Sequence, residues 1–353
     1  MSEPMTGAEL IAAYTSAHTD MITALGEKGV TATDHGFSDF PDDIRAIPTG
    51  GGSGIPSGLP QDGATRIGYN IPEGGNKTIV LVFTHNTGDT ISVVDWLDGS
   101  ATETNTGNGA KTLTHTYASE GDCIAKITVS GGNIKFGGSS SSTIYGGQSN
   151  TTSPYIKNYV KWIVLGNGVV ELGNYAFADC RALQEIRFPS TGLTTIGNNV
   201  FYYNVALKGI EIPNTVTTIG TSVFYSATGL EEIKFPAIAI SGSVCNYCIS
   251  LKDVTIPSGV TSIGNTAFGD CWNLQSVVIP ATVTSIGTST FTHFYGAQKI
   301  RFAGTTPPTL AGSNSFGNMP TSCVISVPTG YLSAYTSAQY YPSSSTYTYI
   351  EED

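Results

Sequence analysis

The sequence predicts a mainly β fold: a solenoid of stacked short repeats over its second half, preceded by a small β-sandwich and a short N-terminal helical segment. Three observations carry this. The pattern V-x-x-I-G-x-x-x-F, five residues, then L-x-x-I-x-I-P recurs, most clearly from Val216 through Phe224 to Pro236 and from Val260 through Phe268 to Pro280. Residues 64–136 read as β-branched runs separated by glycine and asparagine turns. Residues 6–26 place Leu10, Ile11, Tyr14, Met21, Ile22 and Leu25 at helical spacing.

The helical segment spans 1–47. Gly26 and Gly29 end its first helix, and a second short element follows at "FSDFPDDIRAI", with Phe40, Ile44 and Ile47 on one face after Pro41. Together they are too small for a lone domain, so the segment is expected to dock on a partner or self-associate. Glu3 and Glu9 stand where a secretory leader carries Lys or Arg, and no unbroken apolar run follows. The expectation is a chain not exported by its own leader, or one from which a leader was removed. The phrase "ALGEKGVTA…FSDFPDDIRAI" resembles short helical modules near the N-termini of tail-associated and other structural proteins of phages infecting gut bacteria. That resemblance implies attachment to other virion proteins and assembly into trimers or higher forms.

"PTGGGSGIPSGLPQDG", residues 48–63, reads as a flexible linker. In the β region 64–136, "VVDWLDGS" followed by "LTHTYASEGDCIAKITVSG" resembles a PKD-like, immunoglobulin-related sandwich, matched at Trp96, Asp98, Gly99, His115, Tyr117 and Gly121. Leu97 and Cys123 depart from that pattern, which implies a reduced version of the domain. Asp98 reads as a turn former and His115 as a packed strand residue. Residues 137–158, rich in serine and glycine, read as a connector that lets the sandwich and the solenoid tilt.

The solenoid, 159–353, is marked by Pro189, Pro213, Pro236, Pro257 and Pro280, in steps of 24, 23, 21 and 23 residues. A period of this length means that each unit gives a short strand and an arc, and that only stacking closes the core. Phe177, Phe201, Phe224, Phe268 and Phe291 are expected to form an internal ladder. Cys245 takes the phenylalanine slot, while Cys180, Cys248 and Cys271 each follow that slot by three. The C-x-x-C at Cys245 and Cys248 is therefore expected to be buried, unbridged packing rather than a zinc or redox site, with a Cys248–Cys271 disulfide as the alternative in an oxidising compartment.

Units such as "VTSIGNTAFGDCWNLQSVVIP" resemble the BspA-like, or Treponema-type, leucine-rich repeats, and "VPTGYLSAYTSAQYY" is similar to their tyrosine-rich cap. The resemblance implies a curved right-handed solenoid that binds a target, commonly at a cell surface. It does not imply which target.

Charged residues are only 12% and the formal net charge is −11, which disfavours nucleic acid and anionic membrane as partners. No stretch has transmembrane length. His18, His35, His85, His115 and His293 lie apart, with no phosphate loop and no paired carboxylates, so neither enzyme chemistry nor a cofactor or metal is expected.

Alternation points one strand column outward, Val164, Arg187, Glu211, Lys234, Thr255, Val278 and Arg301, and beside it Trp162, Glu185, Gly209, Glu232, Asp253, Ser276 and Lys299. Cross-strand ion pairing accounts for the alternating signs. After the phenylalanines stand Tyr202, Tyr203, Tyr225, Tyr247, Trp272, His293 and Tyr295, which register places along one edge. Exposed aromatic rings there suit protein or glycan recognition, and packing between arcs is the plainer use of the same rings.

The expectation from these readings is a tail-associated virion protein that adheres to a bacterial surface protein or glycan. The alternatives are a bacterial cell-surface adhesin of the BspA-like type and a structural decoration protein of a capsid or tail.

Overall fold

A computed structural model describes residues 55–56, 59–60, 62–75, 77–137 and 159–352. The expected helices within 1–47 and the connector from 138 to 158 lie outside the described residues. Everything described is built around β-structure.

Seven strands come first: β1 (Thr65–Ile71), β2 (Thr78–His85), β3 (Ile91–Asp95), β4 (Glu103–Thr106), β5 (Gly109–Thr116), β6 (Gly121–Ser130) and β7 (Ile134–Phe136). β6 pairs antiparallel with β1 and β3, and β4 pairs with β3. β2 lies between β5 and β7. In β2, TIVLVFTH alternates half-buried and buried residues, as one covered sheet face requires. Ile67, Tyr69, Leu81, Phe83, Val94, Trp96, Ile127 and Phe136 form the core.

The residues of the sandwich-like signature gather at one corner. Trp96 stacks on His115 with centroids 4.7 Å apart, and His115 Nε2 lies 2.7 Å from Asp98 Oδ2. Asp98 Oδ1 accepts the Ser100 N–H, and hydrogen bonds from the Ser100 hydroxyl, the Ser100 N–H and His115, in that order, hold its carboxyl down at about 2. Leu97, at φ 54°, sits in the left-handed region that glycine would occupy at lower cost.

The repeats then lay down a main ribbon and a side ribbon of parallel strands. The first units contribute β8 (Val160–Val164), β9 (Val169–Leu172), β10 (Glu185–Arg187), β11 (Thr195–Ile196), β12 (Gly209–Glu211) and β13 (Thr218–Ile219). The middle units contribute β14 (Glu232–Lys234), β15 (Asp253–Thr255), β16 (Ser262–Ile263), β17 (Ser276–Ile279) and β18 (Ser285–Ile286). The last give β19 (Lys299–Phe302), β20 (Thr309–Leu310), β21 (Val324–Val327), the short helix α1 (Leu332–Thr336) and β22 (Thr348–Glu351). Register is one unit per step, with Ile233 beside Val254 and Val277 beside Ile300. The side ribbon is interrupted near the 21-residue step, where only Ile240 bridges Ile263.

The ring ladder forms as expected and is longer. Phe177, Phe201 and Phe224 stack at 5.9 and 5.3 Å, Phe268 and Phe291 at 5.5 Å, and Phe316 extends the column 5.2 Å beyond. Buried Cys245 fills the gap. All six cysteines are free thiols, so the alternative Cys248–Cys271 disulfide is absent, and the two buried sulfurs sit 3.1 and 3.2 Å from the carbonyls of Phe224 and Cys245.

Two devices lock one unit to the next. The side-chain oxygens of Asn174, Asn198 and Asn265 accept the N–H groups of Asn198, Thr221 and Thr288 one unit on. The glycine of the I-G pair is required by crowding rather than by φ: a Cβ on Gly287 would stand 2.4 Å from the Asn265 nitrogen.

The expected tilting joint is corrected by strand pairing. β1 pairs antiparallel with β8, setting Ile67 opposite Ile163, and β7 runs parallel to β9, setting Phe136 beside Leu172. The N-terminal sheets therefore continue into the two ribbons and share their core. This also explains Trp162, expected to point outward but buried. It packs where any Cβ on Gly68 would collide with it at 2.1 Å.

The flexible-linker reading fails at its C-terminal end for a similar reason. Buried Arg66 bonds Pro60 O at 3.2 Å and Asp62 at 2.7 Å, and the Ile55 N–H bonds Glu185 at 3.0 Å. At the other end the tyrosine-rich segment caps the array: the Tyr335 and Tyr341 hydroxyls bond the carbonyls of Gly304 and Pro308. Glu351 accepts the N–H groups of Gly330 and Leu332.

Candidate ligand-binding edge

After each ladder position the chain must turn within two residues while its N–H groups still reach the next unit. Asp179, Tyr203, Ser226, Tyr247, Asp270, His293 and Asn318, each two residues past a ladder position, all hold φ between 56° and 64°. A non-glycine residue there is strained, and the repeated bond to the next unit holds it in place. Tyr203 N–H bonds Tyr225 O at 2.9 Å, Tyr247 N–H bonds Gly269 O at 3.0 Å, and His293 N–H bonds Gly317 O at 2.9 Å. Three of the seven expected edge residues therefore stand in one column.

The other four fall in two flanking columns, and the rings gather into two groups. Tyr202 touches Tyr203 at 4.5 Å and stacks on Tyr225 at 5.3 Å, and Tyr225 meets Tyr247 at 5.6 Å. One to two units on, Tyr295 meets His293 at 5.6 Å and Trp272 at 6.4 Å. The edge is less open than expected. Trp272 is buried at 8% exposure, Tyr202, Tyr203, Tyr225, Tyr247 and His293 are half-buried, and Tyr295 is exposed at 38%. Packing between arcs and display to solvent are both true of these rings. Burial raises the phenol pKa of Tyr202, Tyr225 and Tyr295, and the Asp270 charge adds to the rise at the last two.

Sequence reasoning passed over the polar members of this edge. Asp270 Oδ1 lies 2.7 Å from His293 Nδ1. Arg181 bonds Asp179 at 2.7 Å and sits 6.0 Å from the Tyr203 centroid, at the outer reach of a cation–π contact. Ser226, buried between Tyr203 and Tyr247 in the column, has no hydrogen-bond partner for its hydroxyl among the described residues, and neither does Asn246 Oδ1. The column itself was the signal: every one of these polar groups lies one, two or four residues after a ladder position.

Residues 155–241 and 238–352 match the BspA type leucine rich repeat region in six copies, more than half of the chain. The chain belongs to the BspA-type leucine-rich repeat family. Among solved structures, this BspA-type chain is similar to a leucine rich cell surface protein from Faecalibacterium prausnitzii A2-165, at 26% identity and TM-score 0.39, covering 43% of this chain and 41% of that one. It is also similar to the pneumococcal vaccine antigen PcpA, at 13% identity and TM-score 0.32, covering 55% and 68%. A third similarity is to the T. pallidum leucine rich repeat protein, at 23% identity and TM-score 0.30, covering 47% and 72%. No curated protein matches.

Elsewhere in the BspA-type chain, several polar groups that could suggest chemistry are engaged with one another. His85 Nε2 lies 2.9 Å from Ser92 Oγ and Nδ1 2.7 Å from Gly107 O, a nucleophile-and-base geometry, yet both side chains are sealed from solvent. The outward strand column carries one ion pair, Lys234 with Glu211 at 3.2 Å, and just before the strands Lys252 pairs with Glu231 at 2.8 Å, while Arg187 turns to Glu185 of its own strand. Exposed pairs of this kind stabilise little. Among the described residues no group of three or more His, Cys, Asp and Glu is placed to hold a metal ion, and no helix is long and apolar enough to cross a membrane.

Proposed function

We propose that this BspA-type protein is a bacterial cell-surface adhesin that holds a surface protein or glycan along its aromatic edge. The observation that carries the reading is the concentration of six tyrosine and tryptophan rings and His293 on consecutive units of one edge, with ring contacts of 4.5–6.4 Å. Rings already ordered by their neighbours lose little entropy when a target arrives. The corner built on Trp96, Asp98 and His115 supports reading β1–β7 as a reduced PKD-like spacer. Neither catalysis nor a cofactor enters the reading, and the charge of −11 argues for a target that is neither nucleic acid nor an anionic membrane.

The test is the full chain carrying Tyr203→Ala and Tyr247→Ala together, measured for retention on intact bacterial cells. At least a tenfold loss is expected, with the fold confirmed by circular dichroism. Undiminished retention sinks the edge as the binding surface.

A second reading rests on the "FSDFPDDIRAI" phrase alone: a tail-associated virion protein, or a capsid or tail decoration, attached to other virion proteins as a trimer through residues 1–47. Antibody labelling of particles against cell envelopes separates it from the first reading, and a strictly monomeric mass counts against it.

A further inference from the structure

We propose that the edge takes a linear glycan laid along the solenoid axis and that Asp270 reads a free amine on it; this rests on the adhesin reading above. The first consideration is spacing. Adjacent units of a parallel ribbon lie about 4.8 Å apart, whereas side chains on one face of an extended peptide repeat at about 6.6 Å. The Tyr202–Tyr225 separation of 5.3 Å, within one column, follows the solenoid's step. A polymer whose monomer advances by about one such step stays in register over several units, as a chain of pyranose rings does and a β-strand does not.

The second consideration is which part of each ring is offered. Tyr202 and Tyr225 stack at 13°, so their faces cover one another and the row presents edges and hydroxyls. Those groups suit a ligand dense in hydroxyls. Ser226 Oγ and Asn246 Oδ1, both buried and unpartnered among the described residues, directly follow Tyr225 and precede Tyr247 in the chain.

The third is the break in the row. Where the column of Tyr202 and Tyr225 reaches Gly269 there is no side chain, and Asn246 Oδ1 stands 3.2 Å from the place its Cβ would occupy. Beside that gap Asp270 lies between Tyr247 and His293 in the column. His293 holds Oδ1 and leaves Oδ2 without a protein partner among the described residues. A carboxylate with a free oxygen next to aromatic rings, in a chain of net charge −11, attracts an ammonium and repels a uronic acid or a phosphate.

The experiment is calorimetry on the full chain with three probes: a chitosan oligosaccharide bearing free amines, the acetylated chitin oligosaccharide of equal length, and an oligolysine peptide. The wild-type chain is expected to bind the chitosan oligosaccharide at least tenfold tighter than either other probe. In Asp270→Asn, which keeps the shape, that preference over chitin should disappear. Raising the pH until the probe's amines are neutral should erase it in the wild-type chain too, a check that needs no variant. A preference that survives Asp270→Asn overturns the assignment of the amine to Asp270, and oligolysine binding as tightly as chitosan overturns the glycan. If neither sugar binds while Tyr203→Ala with Tyr247→Ala still abolishes retention on cells, the glycan proposal fails and the edge reading stands.

Discussion

Phe136 lies 5.6 Å from Phe177, centroid to centroid, so the ring that begins the solenoid's ladder belongs to a strand of the N-terminal sheets. Cutting the chain at residue 159 removes that ring and the strands β1 and β7 that pair with β8 and β9. The array 159–353 alone is expected to bind a hydrophobic dye and melt without a cooperative transition, while 55–353 unfolds in one. A sharp two-state urea curve for 159–353 would contradict a shared core.

Two substitutions test the register from opposite directions. Phe268→Ala removes a buried ring stacked on Phe291 and should cost about 3–5 kcal/mol in urea unfolding. Gly287→Ala adds one carbon against the neighbouring unit's backbone and should cost about 1–3 kcal/mol. An alanine at 287 that stabilises the chain would show that the close approach is not real.

The thiols give a chemical check on burial. Cys180, Cys245, Cys248, Cys271 and Cys323 are buried, Cys123 is half-buried, and loss of solvent raises the pKa of Cys123, Cys245, Cys248, Cys271 and Cys323. With a disulfide-exchange reagent at pH 8, Cys123 should react first and slowly. The other five should react only as fast as the chain unfolds, and prompt labelling of Cys245 or Cys248 would restore a redox reading of the C-x-x-C.

His85 makes the fold sensitive to mild acid. Burial, with Lys111 nearby, holds its pKa below the ordinary 6.5, so the unfolded chain binds the proton first. Its contribution is complete above about pH 6.5 and is lost as the pH falls through the lower folded value. His85→Gln keeps a hydrogen-bonding side chain but cannot take the proton. The variant's stability should therefore change less than the wild type's between pH 7 and pH 5, and parallel pH profiles would remove His85 from the account.

The repeat was legible because its period is written in residues that do one job each: a ring for the ladder, proline to end the strand, glycine for the tight approach. The slot logic also placed both cysteines of the C-x-x-C in the core, where they stand. What lay hidden was pairing at long range. β1 and β8 are 95 positions apart between Thr65 and Val160, and nothing local in either run names the other as partner. The serine-glycine connector between them read as slack, and an antiparallel seam overrode that reading. At the edge the aromatic residues were visible from the repeat register. Their mutual stacking, the burial of Trp272 and the contact of Asp270 with His293 depended on which column each occupied.

The seam between β1 and β8 also makes the protein a mechanical element. Arg66, Ile67, Gly68 and Tyr69 pair with Val164, Ile163, Trp162 and Val160, and β7 beside β9 forms a second seam. On the proposed adhesin reading, a target gripped on the solenoid's edge would pull against whatever holds the N-terminal sheets, and that traction would cross both seams together. The joint would then carry force as a paired splice, in which two sets of strand hydrogen bonds share the load.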